Sequence, residues 1–286
     1  MIPPINRRAF LSGASVAGLG LATGCTPNST SQGETVAIET PAYTEFLGVQ
    51  LYTVRELFEV DAQSTLEALA EIGVKDCQTA GFFDHDPRDI RAIMDDSGLI
   101  SRSGHIRLPQ VKEGIHAEFE TAQILGQTAL YLGWIPEEER TLERYRILAD
   151  LLNERGMEAK EAGLKFGYHN HEFEFIEDEG TTGYDILLER TDPDFVTMEL
   201  DFYWTAQAKV DPLELFSRAL NRFSSCHIKD RDAGGNMVPV GDGEIDFATI
   251  LEAASEVGIE RFYVEHDDAA EPLGSVARSF THLLQK

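Results

Sequence analysis

Short apolar and β-branched runs alternate with amphipathic stretches along most of this chain. Each short run has the length of a buried strand, and each longer stretch repeats its apolar residues at helical spacing. After the first run, for example, Leu66, Leu69, Ala70 and Ile72 form one apolar stripe. The predicted strands are Phe46–Tyr52, Val74–Thr79, Leu99–His105, Ala129–Gly133, Lys165–His171, Phe195–Phe202, Ser224–Lys229 and Arg261–His266.

One helix is predicted after each strand. The helices cover Asp61–Ile72, Pro87–Asp96, Gly114–Leu125, Glu138–Ala162, Gly183–Arg190, Pro212–Leu220, Phe247–Val257 and Gly274–Leu284. Asp246 is the expected N-cap of the helix over Phe247–Val257. Eight βα units in about 240 residues predict a (β/α)8 TIM barrel, an α/β fold, over residues 43–286. The alternative is an open doubly wound sheet. The sequence lacks the glycine-rich GxGxxG motif that would open a helix after the first strand of a dinucleotide-binding version.

The first 25 residues have the pattern of an export signal. Arg7 and Arg8 precede an apolar stretch of small residues, as in twin-arginine (Tat) signals. The stretch ends in Leu-Ala-Thr-Gly-Cys, which resembles a lipoprotein box with Cys25 as the lipidated residue. We therefore expect an exported, periplasmic protein that meets the membrane only through a lipid anchor on Cys25. The alternative is an ordinary signal with a chance cysteine.

Residues 26–42 are rich in Thr, Ser, Pro, Gly and Gln, and they predict a flexible linker between the signal and the barrel. The chain is strongly acidic, with 24 Lys and Arg against 50 Asp and Glu and a formal net charge of -26. Such a surface repels phosphate backbones, so we expect no nucleic-acid partner.

Polar residues with metal-binding side chains stand at the ends of the last four predicted strands. The fifth strand ends with His169 and His171, the sixth with Glu199 and Asp201, the seventh with His227 and Lys229, and the eighth with Glu265, His266 and Asp267. In a barrel these ends surround one point on the axis, where buried carboxylates without a cation would repel each other. The coincidence predicts one divalent ion; imidazole and carboxylate ligands suit Mn²⁺, Co²⁺, Zn²⁺, Mg²⁺ or Fe²⁺.

The motifs resemble those of the xylose isomerase-like TIM barrel superfamily, the sugar phosphate isomerase/epimerase-like proteins. The resemblance rests on GVQLYTVR at residues 48–55, YHNH at 168–171, Leu200-Asp201, HIKD at 227–230, GDGEID at 241–246 and Val264-Glu265. It implies a metal held by Asp201, His227, Glu265 and a residue of the fifth strand. Many members have Glu where this chain has His169, so His169 is the expected fourth ligand and Glu172 its competitor.

The resemblance further implies a metal-dependent sugar isomerase or epimerase that abstracts a proton next to a carbonyl. Glu265 is one candidate base, and the other candidate bases are His171, Glu172 and Glu174, because a metal-bound His169 is a poorer base than a carboxylate. Proton abstraction followed by loss of a β-substituent would instead give a lyase, dehydratase or hydratase acting on a 3-keto sugar or keto-glycoside. A third possibility is a non-catalytic sugar-binding lipoprotein.

Several residues near the expected metal are candidates for contacting the substrate. Lys229 should face the barrel axis beside His227, where it binds a substrate oxygen, stabilises an enolate or forms a salt bridge. The predicted substrate-binding residues are Gln50, Tyr52, His105, Asn170 and Arg231, the last with a glycine-containing loop over residues 232–243 that covers the site. Export favours an unphosphorylated sugar, because sugar phosphates are cytoplasmic. The sequence leaves the oligomeric state open.

Overall fold

Eight parallel strands form the centre of the protein in a computed structural model that describes residues 42–285. In chain order the strands are β1 (Leu47–Gln50), β2 (Asp76–Gln78), β3 (Ser103–Ile106), β4 (Ala129–Leu132), β5 (Lys165–His169), β6 (Val196–Asp201), β7 (Phe223–Ile228) and β8 (Phe262–Val264). Continuous ladders join neighbouring strands from β3 through β8 and on to β1 and β2. Isolated bridges pair Asp76 with Ile100 and Thr79 with Gly104, and they close the seam between β2 and β3. The predicted (β/α)8 TIM barrel is confirmed.

Helices on the outside connect the strands. They are α1 (Arg55–Val60), α2 (Ala62–Ile72), α3 (Pro87–Ser97), α4 (Leu108–Glu113), α5 (His116–Leu125), α6 (Leu142–Glu161), α7 (Gly183–Arg190), α8 (Phe202–Gln207), α9 (Pro212–Arg218), α10 (Phe247–Glu256) and α11 (Pro272–Leu284). Local sequence sets their limits. The Asp61 side chain accepts a hydrogen bond from the Ser64 backbone at the start of α2, and Gly73 ends this helix with a φ of 104°. Asp246 caps α10 by accepting from the Thr249 backbone, as the sequence predicted.

Three short helices were not predicted: α1, α4 and α8. The most informative is α8, because the sixth strand was expected to continue through Phe202. The strand ends at Asp201 instead, whose side chain accepts hydrogen bonds from the backbone N–H groups of Tyr203 and Trp204. A carboxylate in this position satisfies the first free N–H groups of a helix and overrides the strand preference of the aromatic residues that follow.

The inside of the barrel is packed with side chains below the strand ends. Tyr131 and Tyr263 are fully buried there. The Tyr263 hydroxyl donates to Asp76 at 2.9 Å and accepts from Ser103 at 2.9 Å, while the Tyr131 hydroxyl lies 2.8 Å from Ser224 Oγ. Because this layer is filled, the barrel can open to a ligand only at the carboxyl ends of its strands.

The predicted signal over residues 1–25, including Cys25, and the predicted linker up to residue 41 lie outside the described residues. Within residues 42–285 no helix is both long and apolar enough to cross a membrane. In the same part of the chain Cys77 and Cys226 are buried free thiols.

Candidate active site

A cavity of about 750 Å³ opens at the carboxyl ends of the strands, where the sequence placed the site. Its buried end is formed by side chains from β3, β5, and the residues that follow β7 and β8. Its exposed end is formed by the segments that follow β3 and β4. The lining residues include His105, His169, His171, Lys229, Glu265 and Asp267 at the buried end. The other end is lined by the exposed Tyr52 and Trp134, the buried Ile106 and Leu108, and the paired Lys112 and Glu139.

Four predicted metal ligands converge at the buried end. One oxygen or nitrogen atom from each of Asp201, His227 and Glu265 lies within 4.8 Å of the others. His227 Nδ1 is 2.7 Å from Glu265 Oε2 and 3.8 Å from Asp201 Oδ2. His169 joins them, with its Nε2 atom 3.8 Å from the same Asp201 oxygen. Glu172, the competing ligand, belongs to neither of the two candidate metal-binding groups that the described residues form.

Asp201 is held so that one of its oxygens faces this cluster. Its Oδ1 atom accepts from the backbones of Tyr203 and Trp204 at the start of α8. Its own backbone N–H donates to Asn170 Oδ1 at 3.0 Å, which ties β6 to the end of β5. The other oxygen, Oδ2, is buried and forms no hydrogen bond with the described residues, although Lys229 Nζ lies 3.1 Å away as an ion pair.

His227 is oriented by the neighbouring side chain of Gln78. Gln78 Nε2 donates to Glu199 and to Ser103, so its amide nitrogen faces these acceptors and its oxygen faces the other way. That oxygen lies 2.6 Å from His227 Nε2 and also accepts from Gln50 Nε2 at 2.6 Å. His227 Nε2 therefore keeps its proton, and the second ring nitrogen, Nδ1, faces Asp201 and Glu265, where it can act as a ligand.

Glu199 lies one pleat below Asp201 and has five polar side-chain atoms around it. Ser225 Oγ and Gln78 Nε2 donate to Oε2 at 2.6 and 2.7 Å. His105 Nε2, His227 Nε2 and His169 Nδ1 lie 2.5, 3.1 and 3.3 Å from Oε1. Burial alone would raise the pKa of Glu199, but His227 and His105 hold it well below its usual range. Glu199 is therefore an ionised carboxylate that fixes the three imidazole rings.

Lys229 is surrounded by carboxylates. Its Nζ atom lies 2.8 Å from Glu265, 3.0 Å from Asp267 and 3.1 Å from Asp201. Burial opposes the charged amine, but Asp201, Asp267 and Glu265 together raise the pKa of Lys229 well above its ordinary value. Of the roles expected for Lys229, the structure shows the salt bridge.

The residues of this cluster fit a divalent cation. Three carboxylates face a single ammonium group, and burial raises the pKa of Asp201 to about 6 despite Lys229. Asp201 Oδ2, a buried acceptor without a hydrogen bond among the described residues, lies 3.8 Å from both His169 Nε2 and His227 Nδ1. A cation there would offset the negative charge, and the mixed imidazole and carboxylate set suits the first-row divalent metals.

Two imidazoles on the β5 side are neutral. Burial, with help from His227, lowers the pKa of His169 to about 3. Burial likewise lowers the pKa of His171 well below its usual range, and His169 and Lys229 act in the same direction. The His171 ring lines the cavity, stacks on Phe173 with 5.2 Å between ring centres, and has a buried Nδ1 atom without a hydrogen-bond partner among the described residues.

Other predicted site residues lie at the edge of the cavity or behind it. Tyr52 lines the cavity and is 41% exposed, and its ring is covered by Arg55. The Gln50 and Asn170 amides are fully buried and bonded to protein groups, and neither residue lines the cavity. Arg231 also lies outside the lining residues.

The segment after β7 folds back on itself next to Arg231. Residues Asp230–Arg231 pair with Met237–Val238 as a short antiparallel hairpin. The buried Asp230 carboxylate accepts backbone N–H bonds from Arg231, Gly241, Gly243 and Ile245 at 2.8 to 3.2 Å. One side chain thus fixes both ends of the loop that was predicted to cover the site.

Two predicted base candidates from the segment after β5 do not line the cavity: Glu172 and Glu174. Glu174 is fully buried behind the strand, where it accepts from the Tyr168 hydroxyl at 2.6 Å and from the His171 backbone at 2.7 Å. It therefore supports the conformation of the residues that follow β5.

Sequence reasoning assigned no role to Gln78 or Trp134, and it noted Glu199 and Asp267 only as residues at strand ends. Glu199 could have been placed by alternation, because it lies two residues before Asp201 and must face the same side of β6. Gln78 and Trp134 carry no such local signal, since their importance comes from neighbours far away in the chain.

Comparisons with known proteins agree with the fold. Residues 43–284 match the sequence model of the family described as xylose isomerase-like TIM barrel. The chain is 31% identical over 164 residues to an inosose dehydratase of Geobacillus thermodenitrificans, a match that spans 51% of this chain and 53% of that relative. Inosose dehydratases of Clostridium perfringens are matched over 55% of their length, at 29% identity.

Solved structures show the same barrel. A sugar phosphate isomerase/epimerase from Parabacteroides distasonis superposes with a TM-score of 0.75 at 26% identity, over 84% of this chain and 96% of that one. The 3-keto-D-glucoside 4-epimerase of E. coli superposes with a TM-score of 0.63 over 84% and 99% of the two chains, and at 14% identity it shows the fold alone. The chain belongs to the xylose isomerase-like TIM barrel family, whose matched relatives are enzymes.

Proposed function

We propose that this protein is a divalent-metal-dependent lyase of the dehydratase type that acts on an unphosphorylated keto-sugar. In this reaction a base removes the proton next to the carbonyl, the electron pair of the C–H bond forms a C=C bond, and the C–O bond at the next carbon breaks. The expelled oxygen takes up a proton. The names of the inosose dehydratase relatives support this class.

The buried end of the cavity is asymmetric, and this asymmetry favours an elimination. On the β8 side the lining residues are the carboxylates Glu265 and Asp267, whereas on the β5 side they are the imidazoles His169 and His171. Glu174, the buried carboxylate that follows β5, is bonded behind the strand. Epimerisation between two carboxylate bases needs one on each face of the substrate, and an elimination needs only one base that can return its proton to the leaving group.

His171 is the base that its position and its lack of partners favour. Its ring is neutral, lines the cavity and has a nitrogen without a hydrogen-bond partner among the described residues. Glu265, by contrast, is ion-paired with Lys229 at 2.8 Å and bonded to His227. Burial works to raise the pKa of Glu265, but Lys229 and His227 hold it well below its usual range, so this carboxylate stays ionised and paired with them.

The other residues of the site would bind and orient. His169, Asp201, His227 and Glu265 would hold the ion, which would supply Lewis-acid polarisation of the substrate carbonyl. Lys229 would place its ammonium beside a substrate oxygen, and His105 is already fixed by Glu199 at the base of the cavity. Protonated His171, formed by the abstraction, would return its proton to the leaving oxygen.

An unphosphorylated substrate suits both the sequence and the site. The cations among the lining residues are Arg107, Lys112 and Lys229, and the two lysines are already paired with carboxylates. Four carboxylates share the cavity with them: Glu138, Glu139, Glu265 and Asp267. A phosphate group would be repelled here. We also propose, from Arg7, Arg8 and Cys25, that the protein works outside the cytoplasm.

A turnover experiment in D₂O tests the reaction class. The protein, loaded in turn with Mn²⁺, Co²⁺, Zn²⁺, Mg²⁺ and Fe²⁺, is incubated with an inosose and with 3-keto-glucosides, and products are followed by mass spectrometry. A lyase yields a product lighter by the expelled water or alcohol. Deuterium incorporation into an otherwise unchanged sugar would mean an epimerase, and retained metal without turnover would favour a sugar-binding protein.

Epimerase activity is the second candidate, because His171 and Glu265 line the cavity from different strands and could serve as two unlike bases.

A pair of variants tests whether His171 is the base. His171→Gln should lower kcat by roughly 10²–10⁴, the usual contribution of a general base. Glu172→Gln, on the neighbouring residue outside the cavity, should change kcat by less than about twofold, since surface changes away from a site have small effects.

A further inference from the structure

The cavity is larger than one sugar ring needs. Its volume of about 750 Å³ lies within the range of ~300–1,000 Å³ that accommodates drug-sized ligands, and a single sugar ring is about half such a molecule. The predicted chemistry is concentrated at one end, around His169, Lys229 and Glu265. The remaining space extends along the segments that follow β3 and β4, and it is large enough for a second group attached to the sugar.

This outer half of the cavity has apolar walls. Ile106 ends β3, Leu108 and Pro109 begin α4, and Trp134 and Pro136 follow β4. Trp134 is 51% exposed, which is unusual for a side chain of this size and marks a surface suited to an apolar partner. The Arg140 guanidinium lies 5.5 Å from the Trp134 ring centre and 3.5 Å from that of Phe173. The indole therefore lies beside a cation that packs on a second aromatic ring.

Two of the polar side chains that line this half, Lys112 and Glu139, are paired with each other. Lys112 Nζ is 2.6 Å from Glu139, and Arg144 lies 3.9 Å from the same carboxylate. A second sugar placed here would lose the water around its hydroxyl groups without gaining equivalent partners from Ile106, Leu108, Pro109 and Pro136, and such burial is unfavourable. An aromatic or alkyl group would instead stack on Trp134 and bury apolar surface.

We propose that the outer half of the cavity is a binding subsite for an apolar aglycone, so that the substrate is an aryl- or alkyl-substituted keto-sugar. The subsite consists of Ile106, Leu108, Pro109, Trp134 and Pro136. This inference rests on the proposed function for the identity of the sugar part, but the subsite itself follows from the shape and chemistry of the cavity. Trp134 contributes its exposed ring and is the residue on which the affinity depends most.

Binding measurements test the subsite independently of turnover. Isothermal titration calorimetry with the full chain compares an unreactive aryl glucoside, methyl glucoside and a glucose disaccharide. We expect the aryl glucoside to bind about two- to twelvefold more tightly than the methyl glucoside, the range that one aromatic stacking contact implies. That preference should disappear in Trp134→Ala and largely return in Trp134→Phe. Ile147→Ala, which removes another exposed apolar side chain away from the cavity, should keep it.

The following results would contradict the proposed subsite. Equal binding of the aryl and methyl glucosides, or no binding of either, would show that no aglycone subsite exists. Disaccharide binding as tight as aryl binding would overturn its apolar specificity. If Trp134→Ala weakened both monosaccharide ligands equally, the indole would contact the sugar itself. Turnover of keto-glucosides is measured in parallel. If the protein prefers the aryl glucoside but shows no lyase activity, the proposed function is wrong and the subsite is retained.

Discussion

The Gln78 side-chain oxygen lies 2.6 Å from Nε2 of His227, and it fixes which nitrogen of that ring faces the candidate metal site. The Gln78 amide cannot rotate to present its nitrogen without losing its bonds to Glu199 and Ser103. Two residues that are 149 positions apart in the chain therefore act as a unit: one supplies the ligand atom and the other orients it.

Gln78→Leu should weaken metal binding. The substitution removes the acceptor from His227 Nε2 and leaves the ring free to adopt the other tautomer, a loss that typically costs 10–100-fold in affinity. Calorimetric titration of Mn²⁺ or Zn²⁺ measures it. Gln50→Leu is the matched control, because Gln50 is equally buried and contacts Gln78 but not His227. Equal loss in the two variants would contradict a specific role for Gln78.

Metal binding should release about one proton from His227 near pH 7.5. Burial lowers the pKa of this imidazole, but Glu199 and Glu265 together raise it to about 10, so the ring is charged before the ion arrives. Nδ1 of His227 must lose its proton to become a ligand. The affinity for the metal ion should therefore rise by up to about tenfold for each unit of increasing pH between pH 6.5 and 8.5. Calorimetry in two buffers of different ionisation enthalpy counts the protons, and a count of zero would exclude His227 as a ligand.

Glu174 should make the fold less stable as pH rises. Burial raises the pKa of this carboxyl to about 7, above the ordinary value of 4.5 that it regains on unfolding. The folded state therefore binds more protons than the unfolded state between these values, and stability declines from about pH 4.5 to pH 7. Relative to Glu174→Gln, the wild-type protein should lose roughly 1–3 kcal/mol between pH 5 and pH 8. Urea unfolding at both pH values measures this difference, and parallel profiles would contradict the prediction.

Gly167 should tolerate no side chain. A Cβ atom on this residue of β5 would lie 2.6 Å from the Thr197 carbonyl oxygen and 2.7 Å from the Tyr131 ring inside the barrel. Gly167→Ala should therefore destabilise the protein by roughly 1–3 kcal/mol through overpacking. Gly274→Ala is the control, since its Cβ would meet only Glu271 at an ordinary 3.5 Å in the first turn of α11. Thermal unfolding compares the two, and equal melting temperatures would contradict the packing argument.

Hydrophobic periodicity was sufficient to predict the barrel. It was insufficient to predict the local structure at the carboxyl ends of the strands, where the candidate active site lies. Strands such as Ala129–Leu132 are continuous apolar runs because both of their faces are buried, and that pattern is visible in the sequence. Helix α8 could not be predicted from its aromatic residues, since it depends on the Asp201 cap. The same alternation that located Asp201, His227 and Glu265 could not show that Glu174 faces away from the cavity, because it follows a turn and not a strand.

The proposed chemistry depends on an ion bound at these strand ends, and the metal content of the purified protein tests for it. The purified protein, reconstituted with each candidate ion and freed of excess, is analysed by mass spectrometry beside a His227→Ala/Glu265→Ala double variant and a Glu138→Gln control. We predict about one divalent ion per chain in the wild-type protein and the control, and its loss in the double variant. No stoichiometric ion in the wild-type protein, or an ion equally retained by the double variant, would contradict the metal site at these strand ends.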